Sequence, residues 1–266
     1  MKKAVKNLYI ALVILFLYAP IFVLIVFSFN TTKSHSVMSG FTLKWYADLI
    51  HDRTIINSLI NTLIVAVSAS VISTVLGTFA ALGINNMRKI PRAVTMQVNN
   101  FPIVNPEIVT GVSLMLLFVF FAARMSFSLG FATLIIAHIT FDAPYVVLNV
   151  MPKLRQMDKN LVDAAADLGC NPVQAFFKVT LPEIMPGVIS GFLMALTLSL
   201  DDFTVSYFVS GSSVQTLPVT IYSMTRRQVS PKINALSTII FLVVVAVLVI
   251  KNIIERKNIK QEEIRI

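Results

Sequence analysis

The chain has 266 residues, 56% of them apolar and only 13% charged, with a mean hydropathy of +0.79. A soluble globular domain carries about 25% charged residues, so this composition excludes a disordered regulator and an ordinary cytosolic enzyme. The net charge of +9 does not indicate a nucleic-acid binder, because Lys and Arg sit in short segments between apolar blocks, where they orient a membrane protein.

Six blocks, roughly 8–29, 58–84, 101–123, 129–150, 184–209 and 236–254, are long enough to cross about 30 Å of hydrocarbon as helices. The reading is one all-α integral membrane domain over 1–266, with no room for a large soluble domain beside it. The first block follows Met1-Lys2-Lys3, and no small-x-small cleavage site comes after it. It is therefore expected to be a retained span and not a signal peptide. With the N-terminus inside, 15 Lys and Arg fall in inner segments and 7 in outer ones, which predicts that both termini are cytoplasmic. Trp45, in the outer connector with Phe41 and Tyr46, reads as an interfacial anchor. The connector 210–235, with its Arg226-Arg227 pair, is expected to lie on the outer face as solvated surface.

Acids inside spans are the main functional signal, because one Asp at mid-span costs about 2.5–3.5 kcal/mol while each large aliphatic residue or Phe returns about 0.3–0.6 kcal/mol. Asn105-Pro106-Glu107 reads as an N-cap, a first-turn proline and an acid favoured by the helix dipole, with substrate contact by Glu107 as the alternative. Asp142 lies in Phe141-Asp142-Ala143-Pro144-Tyr145, where Pro144 frees a backbone carbonyl. There a carboxylate and Tyr145 either line a cavity or answer a structural bend. The pair Asp201-Asp202 is tolerable in the fifth span only if it faces protein or water. Phe203 and Tyr207 lie beside it, and carboxylates with ring faces suit an alkyl ammonium ion. No Lys or Arg falls within this span, which argues against an anionic substrate. The alternative is that one Asp caps a neighbouring helix or pairs with a partner subunit. Gly187 and Gly191, four apart, suit close helix packing.

The 33-residue connector 151–183 is the longest and is expected to be cytoplasmic. A short helix capped by Asp158 and stopped by Gly169 is followed by Asn171-Pro172, which opens a second short helix. Leu181-Pro182 and Pro186 are expected to restart the chain as the fifth span. Asp163-Ala164-Ala165, three residues, Gly169, nine residues, Val179, one residue, Leu181-Pro182 resembles the EAA loop of ABC importer permeases, with Asp for the usual Glu and Val for Ile. Asn57-Ser58-Leu59 and Pro106-Glu107-Ile108-Val109-Thr110-Gly111 extend the resemblance, which is greatest to the second membrane subunit of spermidine/putrescine importers.

The resemblance implies a type I ABC importer permease fold (MetI-like) with six transmembrane helices in the bacterial inner membrane. It also implies a second, different permease, two ATP-binding subunits and a periplasmic polyamine-binding protein as partners. In that family the EAA loop sits in a groove of the ATP-binding subunit, which assigns Asp163, Ala164, Ala165, Gly169, Val179, Leu181 and Pro182 to ATPase coupling. No Gly-x-x-x-x-Gly-Lys-Ser/Thr occurs, so no cofactor is expected in this chain, and ATP and Mg are expected on the partner ATPase. His35, His51 and His138 have no metal-ligand spacing, and the single cysteine, Cys170, gives neither a disulfide framework nor a cysteine metal cluster. The other readings are an importer permease for Fe(III), sulfate or thiamine, or a stand-alone secondary carrier.

Overall fold

A computed structural model describes residues 2–32, 37–125, 127–158, 160–227, 231–243 and 245–246. Among them the elements are helical, with one isolated bridge between Asn30 and Phe41. The helices are α1 (Lys2–Phe27), α2 (Lys44–Ile50), α3 (Arg53–Asn85), α4 (Lys89–Val104), α5 (Glu107–Met125) and α6 (Phe131–Gln156). There follow α7 (Asn160–Asp167), α8 (Pro172–Ala175), a π-helical turn (Phe176–Thr180), α9 (Leu181–Asp201), α10 (Thr204–Val209), α11 (Leu217–Arg227) and α12 (Pro231–Val243). Five helical stretches are long and apolar enough to cross a membrane, and α12 is a shorter apolar helix. The sixth predicted span, 236–254, lies partly outside the described residues, as do His35, the Arg227 side chain and the basic tail.

The chain divides into two compact units, Met1–Ile56 with Ile221–Ile266, and Asn57–Thr220. In the first, the connector after α1 is held by polar contacts. The Trp45 indole N–H donates to the Asn30 carbonyl at 2.7 Å, and the Ser28 and Tyr46 hydroxyls lie 2.6 Å apart. Trp45, read from sequence as an anchor at the bilayer surface, thus fastens α2 to the end of α1. Lys232 pairs with Asp52 at 3.2 Å. Burial alone would raise the Asp52 carboxyl, but the hydrogen bond and charge of Lys232, with the N–H groups of Thr54 and Ile55, hold it below its ordinary value.

In the second unit α6 and α9 form the central pair. Val146, Val147, Val150, Met151 and Leu154 of α6 are buried with Ile184 and Ala195 of α9 and with Ala81 and Ile84 of α3. Gly187 and Gly191 set the spacing. A Cβ on Gly187 would lie 2.8 Å from the Asn149 carbonyl oxygen, and one on Gly191 3.1 Å from the Val146 Cα. The expected close packing through these glycines is what the helices do. A second cluster gathers Val65, Phe118, Leu134, Ala137, Val205 and Val209 from α3, α5, α6 and α10.

Three boundaries differ from the sequence reading. The third span, expected over 101–123, begins at Glu107, and the preceding connector is helical from Lys89. The two helices part because Pro106 drives Asn105 to an extended ψ of 136°. The fifth span, expected over 184–209, ends at Asp201, and α10 starts afresh at Thr204. As expected, α9 begins at Leu181-Pro182, but no break in the helical backbone precedes it, and Pro172–Asp201 is one helical stretch of 30 residues. Pro182 lacks the amide that would bond the Lys178 carbonyl. The π turn, closed by the Leu181 N–H on the Phe176 carbonyl, takes up the irregularity.

Candidate functional site

The break between α9 and α10 is produced by Asp202. Its carboxylate accepts the backbone N–H groups of Val205 at 3.1 Å and Ser206 at 2.7 Å, capturing the free donors of a new helix start. The same carboxylate lies 3.6 Å from His138 Nε2. His138, buried on α6, reaches Ser199 Oγ at 2.5 Å through Nδ1 and Ser206 Oγ at 3.1 Å through Nε2. Asp202 is thus committed to capping, the alternative role weighed for one of the pair, and its side chain is 6% exposed.

Asp201, one residue earlier, points elsewhere. It is exposed and lines a cavity of about 260 Å³ closed by α4, α5, α6 and the α9–α10 break. Glu107, Asp202 and Tyr145 line the same space, with Phe203, Asn105, Thr110 and Thr197 among the rest of its polar and aromatic wall. No basic side chain is among the lining residues. Asn105 does not cap α5 with its carbonyl, as was expected. Its amide donates to the Thr110 hydroxyl at 3.2 Å, and Glu107 stands exposed at the cavity rim. Three acids thus line the space; with Asp202 already spent on capping, Glu107 and Asp201, beside aromatic rings and no basic lining side chain, suit an ammonium compound.

The remaining predicted residues fall outside this space. Asp142 is fully buried, is not among the lining residues and has no hydrogen-bond partner for either oxygen among the described residues. It therefore neither lines the cavity nor answers a freed backbone group. Tyr207 is half exposed and is not among the lining residues, but its ring contacts that of Phe203, 5.5 Å between centroids. Sequence reasoning passed over His138, which was weighed only as a metal ligand. The rule that marks intramembrane acids applies equally to a histidine four residues before Asp142.

At the other end of the Pro172–Asp201 stretch is the EAA-like loop. Asp158 accepts the Asn160 N–H at 3.0 Å and so starts α7. The helix ends in a Schellman turn, with Cys170 N–H on the Ala165 carbonyl, Gly169 N–H on Ala166, and Gly169 at a φ of +81° that favours glycine. Asn171 caps α8 by accepting the Gln174 N–H at 2.8 Å. Ala165 and Ala175 are buried within the hairpin, while Leu168 and Val173 are 86% and 65% exposed. Asp163, Ala164 and Pro182 are also exposed, with Val179 and Leu181 half-buried where the hairpin meets α9.

Comparison with known proteins gives a consistent result. The putrescine transport system permease protein PotI of Escherichia coli (strain K12) is 39% identical over 233 residues, covering 85% of this chain and 81% of that protein. The spermidine/putrescine transport system permease protein PotC of Haemophilus influenzae is 35% identical over 253 residues, 95% of this chain and 97% of that one. The crystal structure of a bacterial ABC transporter involved in the import of the acidic polysaccharide alginate shares the fold, with a TM-score of 0.69 at 14% identity, covering 96% of this chain and 95% of that chain. Residues 73–260 match the family described as binding-protein-dependent transport system inner membrane component, and the chain belongs to that family.

Proposed function

We propose that the chain is one membrane subunit of an ATP-driven importer of polyamines, spermidine and putrescine, and that the cavity bounded by Glu107 and Asp201 receives the cation. The observation that carries this reading is the pairing of two exposed carboxylates with Tyr145 and Phe203 around a space lined by no basic side chain. Carboxylates supply charge-assisted hydrogen bonds to the terminal ammonium groups, and the ring faces accommodate the polarised methylenes between them. The identity with PotI and PotC supports the same substrate class. Asp202 holds the helix break that presents Asp201, while Asp142 and Tyr207 stand outside the first contact.

In this reading a second, different permease completes the pathway, a periplasmic binding protein delivers the polyamine, and both termini are cytoplasmic. Two separate ATP-binding subunits bind ATP and Mg and receive the loop at Asp163–Pro182. Leu168, Val173 and Phe177 are exposed apolar side chains it offers them. Movement of the loop reaches the cavity directly, because Pro172–Asp201 runs without interruption over about 45 Å at 1.5 Å per residue.

Uptake of labelled spermidine and putrescine into cells or proteoliposomes tests the site. Asp201→Asn and Glu107→Gln are each expected to raise the half-saturating concentration about ten- to a hundredfold, the usual worth of a hydrogen bond to a charged group. Excess sulfate is expected not to compete. Unchanged kinetics in both variants, or competition by sulfate, would overturn the assignment.

A further inference from the structure

A second cavity of the Asn57–Thr220 unit has no part in the reading above. It measures about 680 Å³ and lies where the end of α3, the start of α4 and the end of α6 meet, at the end of the unit that carries the EAA-like loop. Three cationic side chains line it, Lys89 and Arg92 from α4 and Arg155 from α6, and no acid is among the lining residues. Arg92 is fixed in place. One terminal nitrogen donates to Asn85 Oδ1 at 3.0 Å and touches Met151 Sδ at 3.6 Å. Its Nε is buried and has no acceptor among the described residues. Neither ion pair found among the described residues involves these three cations.

Three cationic side chains around one space, opposite no carboxylate, call for an oxyanion. Phosphate oxygens match Arg92, because a guanidinium offers them parallel N–H donors. The remaining wall combines the amides Asn85, Asn86 and Gln97 with the apolar Ala93, Met96, Leu154 and Met157. On the flank of the same helix Ile90, Val94 and Val98, spaced by four, are 79%, 59% and 64% exposed. A charged cup beside an apolar rail suits a headgroup with acyl chains attached better than a free ion. Basic pockets at helix ends near the membrane surface hold anionic lipid headgroups.

We infer that the cavity between α3, α4 and α6 is a binding site for a phosphate group, that of an anionic phospholipid headgroup, held by Arg92 with Lys89 and Arg155. The intact chain, extracted in mild detergent with the subunits that accompany it and then delipidated, provides the test. Binding of phosphatidylglycerol, phosphatidylcholine and inorganic phosphate is followed by native mass spectrometry and by the shift in thermal unfolding. Phosphatidylglycerol is expected to be retained and to stabilise, and phosphatidylcholine to do so weakly. Lys89→Gln and Arg155→Gln, both at exposed positions, are each expected to weaken phosphatidylglycerol binding about fivefold. Arg92→Gln is expected to weaken it further, and the two surface variants keep the test open if that one misfolds. Stabilisation by inorganic phosphate alone, with the same dependence on the three cations, would uphold the phosphate site and replace the lipid by a free anion as its source. Equal retention of phosphatidylglycerol by wild type and by the double variant Lys89→Gln/Arg155→Gln would overturn the site. So would loss of an accompanying subunit with lipid binding intact, since the cations would then serve a protein partner.

Discussion

The two sides of α9 are built on opposite rules. Toward α6 the helix carries Gly187, Gly191, Ala195 and Ser199, all buried, and the polar groups found there face one another: His138 with Ser199, Ser206 and Asp202. At its end toward the cavity it carries Thr197 and Asp201, which meet Glu107 and Tyr145 across open space. The adjacent acids Asp201 and Asp202 both line that cavity and differ in what they have free. Asp202 is consumed in holding the break, and that consumption keeps Asp201 available. The comparison teaches that an intramembrane charge is not a site in itself. What matters is whether its hydrogen-bonding capacity is already spent.

Substitutions on the sealed side are expected to disturb stability, and those on the open side transport. The largest stability effect is expected from Gly187→Leu. Its new side chain would meet the Asn149 carbonyl oxygen at 2.8 Å from the Cβ alone, and overpacking of this kind costs about 3 kcal/mol. Unfolding in detergent would register it, and a midpoint equal to wild type would show that the α6–α9 seam is not as tight as described.

Asp202→Ala removes a helix cap and is expected to destabilise by about 1–2 kcal/mol. Asp201→Asn, its neighbour, should leave the same unfolding curve within about 0.5 kcal/mol while impairing uptake. A pair of variants that behaved alike in both measurements would erase the distinction between the two acids. Asp142→Leu sharpens it further. Because neither oxygen of Asp142 has a hydrogen-bond partner among the described residues, replacing it by an apolar side chain is expected to leave stability unchanged or to raise it by about 1 kcal/mol.

The smallest effect belongs to the other unit. The Asp52 carboxyl sits below its ordinary value of 3.8 in the folded chain. Its contribution is therefore complete above that value and is lost as pH falls through the lower folded one. Solvent reaches both partners, which are 22% and 27% exposed, so the contribution is under about 1 kcal/mol. Lys232→Met is expected to flatten this part of the acid limb of a stability-against-pH curve. An unaltered limb would remove the pair from consideration.

The spans and the loop were legible because their signals are local. A run of apolar residues needs only its own length, and Asp158, Gly169 and Asn171-Pro172 act on neighbours within a few positions. The breaks at Asn105-Pro106 and Asp202-Phe203 were harder to read, since hydropathy runs through both. Only the second depends on a side chain turning to cap a helix that begins two residues later. The continuity of Pro172–Asp201 ran against the usual weight of Leu181-Pro182, because a π turn absorbed the missing amide. What could not be read along the chain was pairing across it. His138 and Asp202 are 64 positions apart, and Arg92 meets Met151 across 59.

The helical stretch from Pro172 to Asp201 lies against α6 at Gly187 and Gly191, near its middle, too closely to admit a side chain without adjustment. If the loop is driven as proposed, that seam would act as a fulcrum, and an inward push on the hairpin end would swing the Asp201 end the opposite way, over a throw about two-thirds as long at 1.5 Å per residue. The glycines would then fix the mechanical ratio between what the motor does and what the passenger feels.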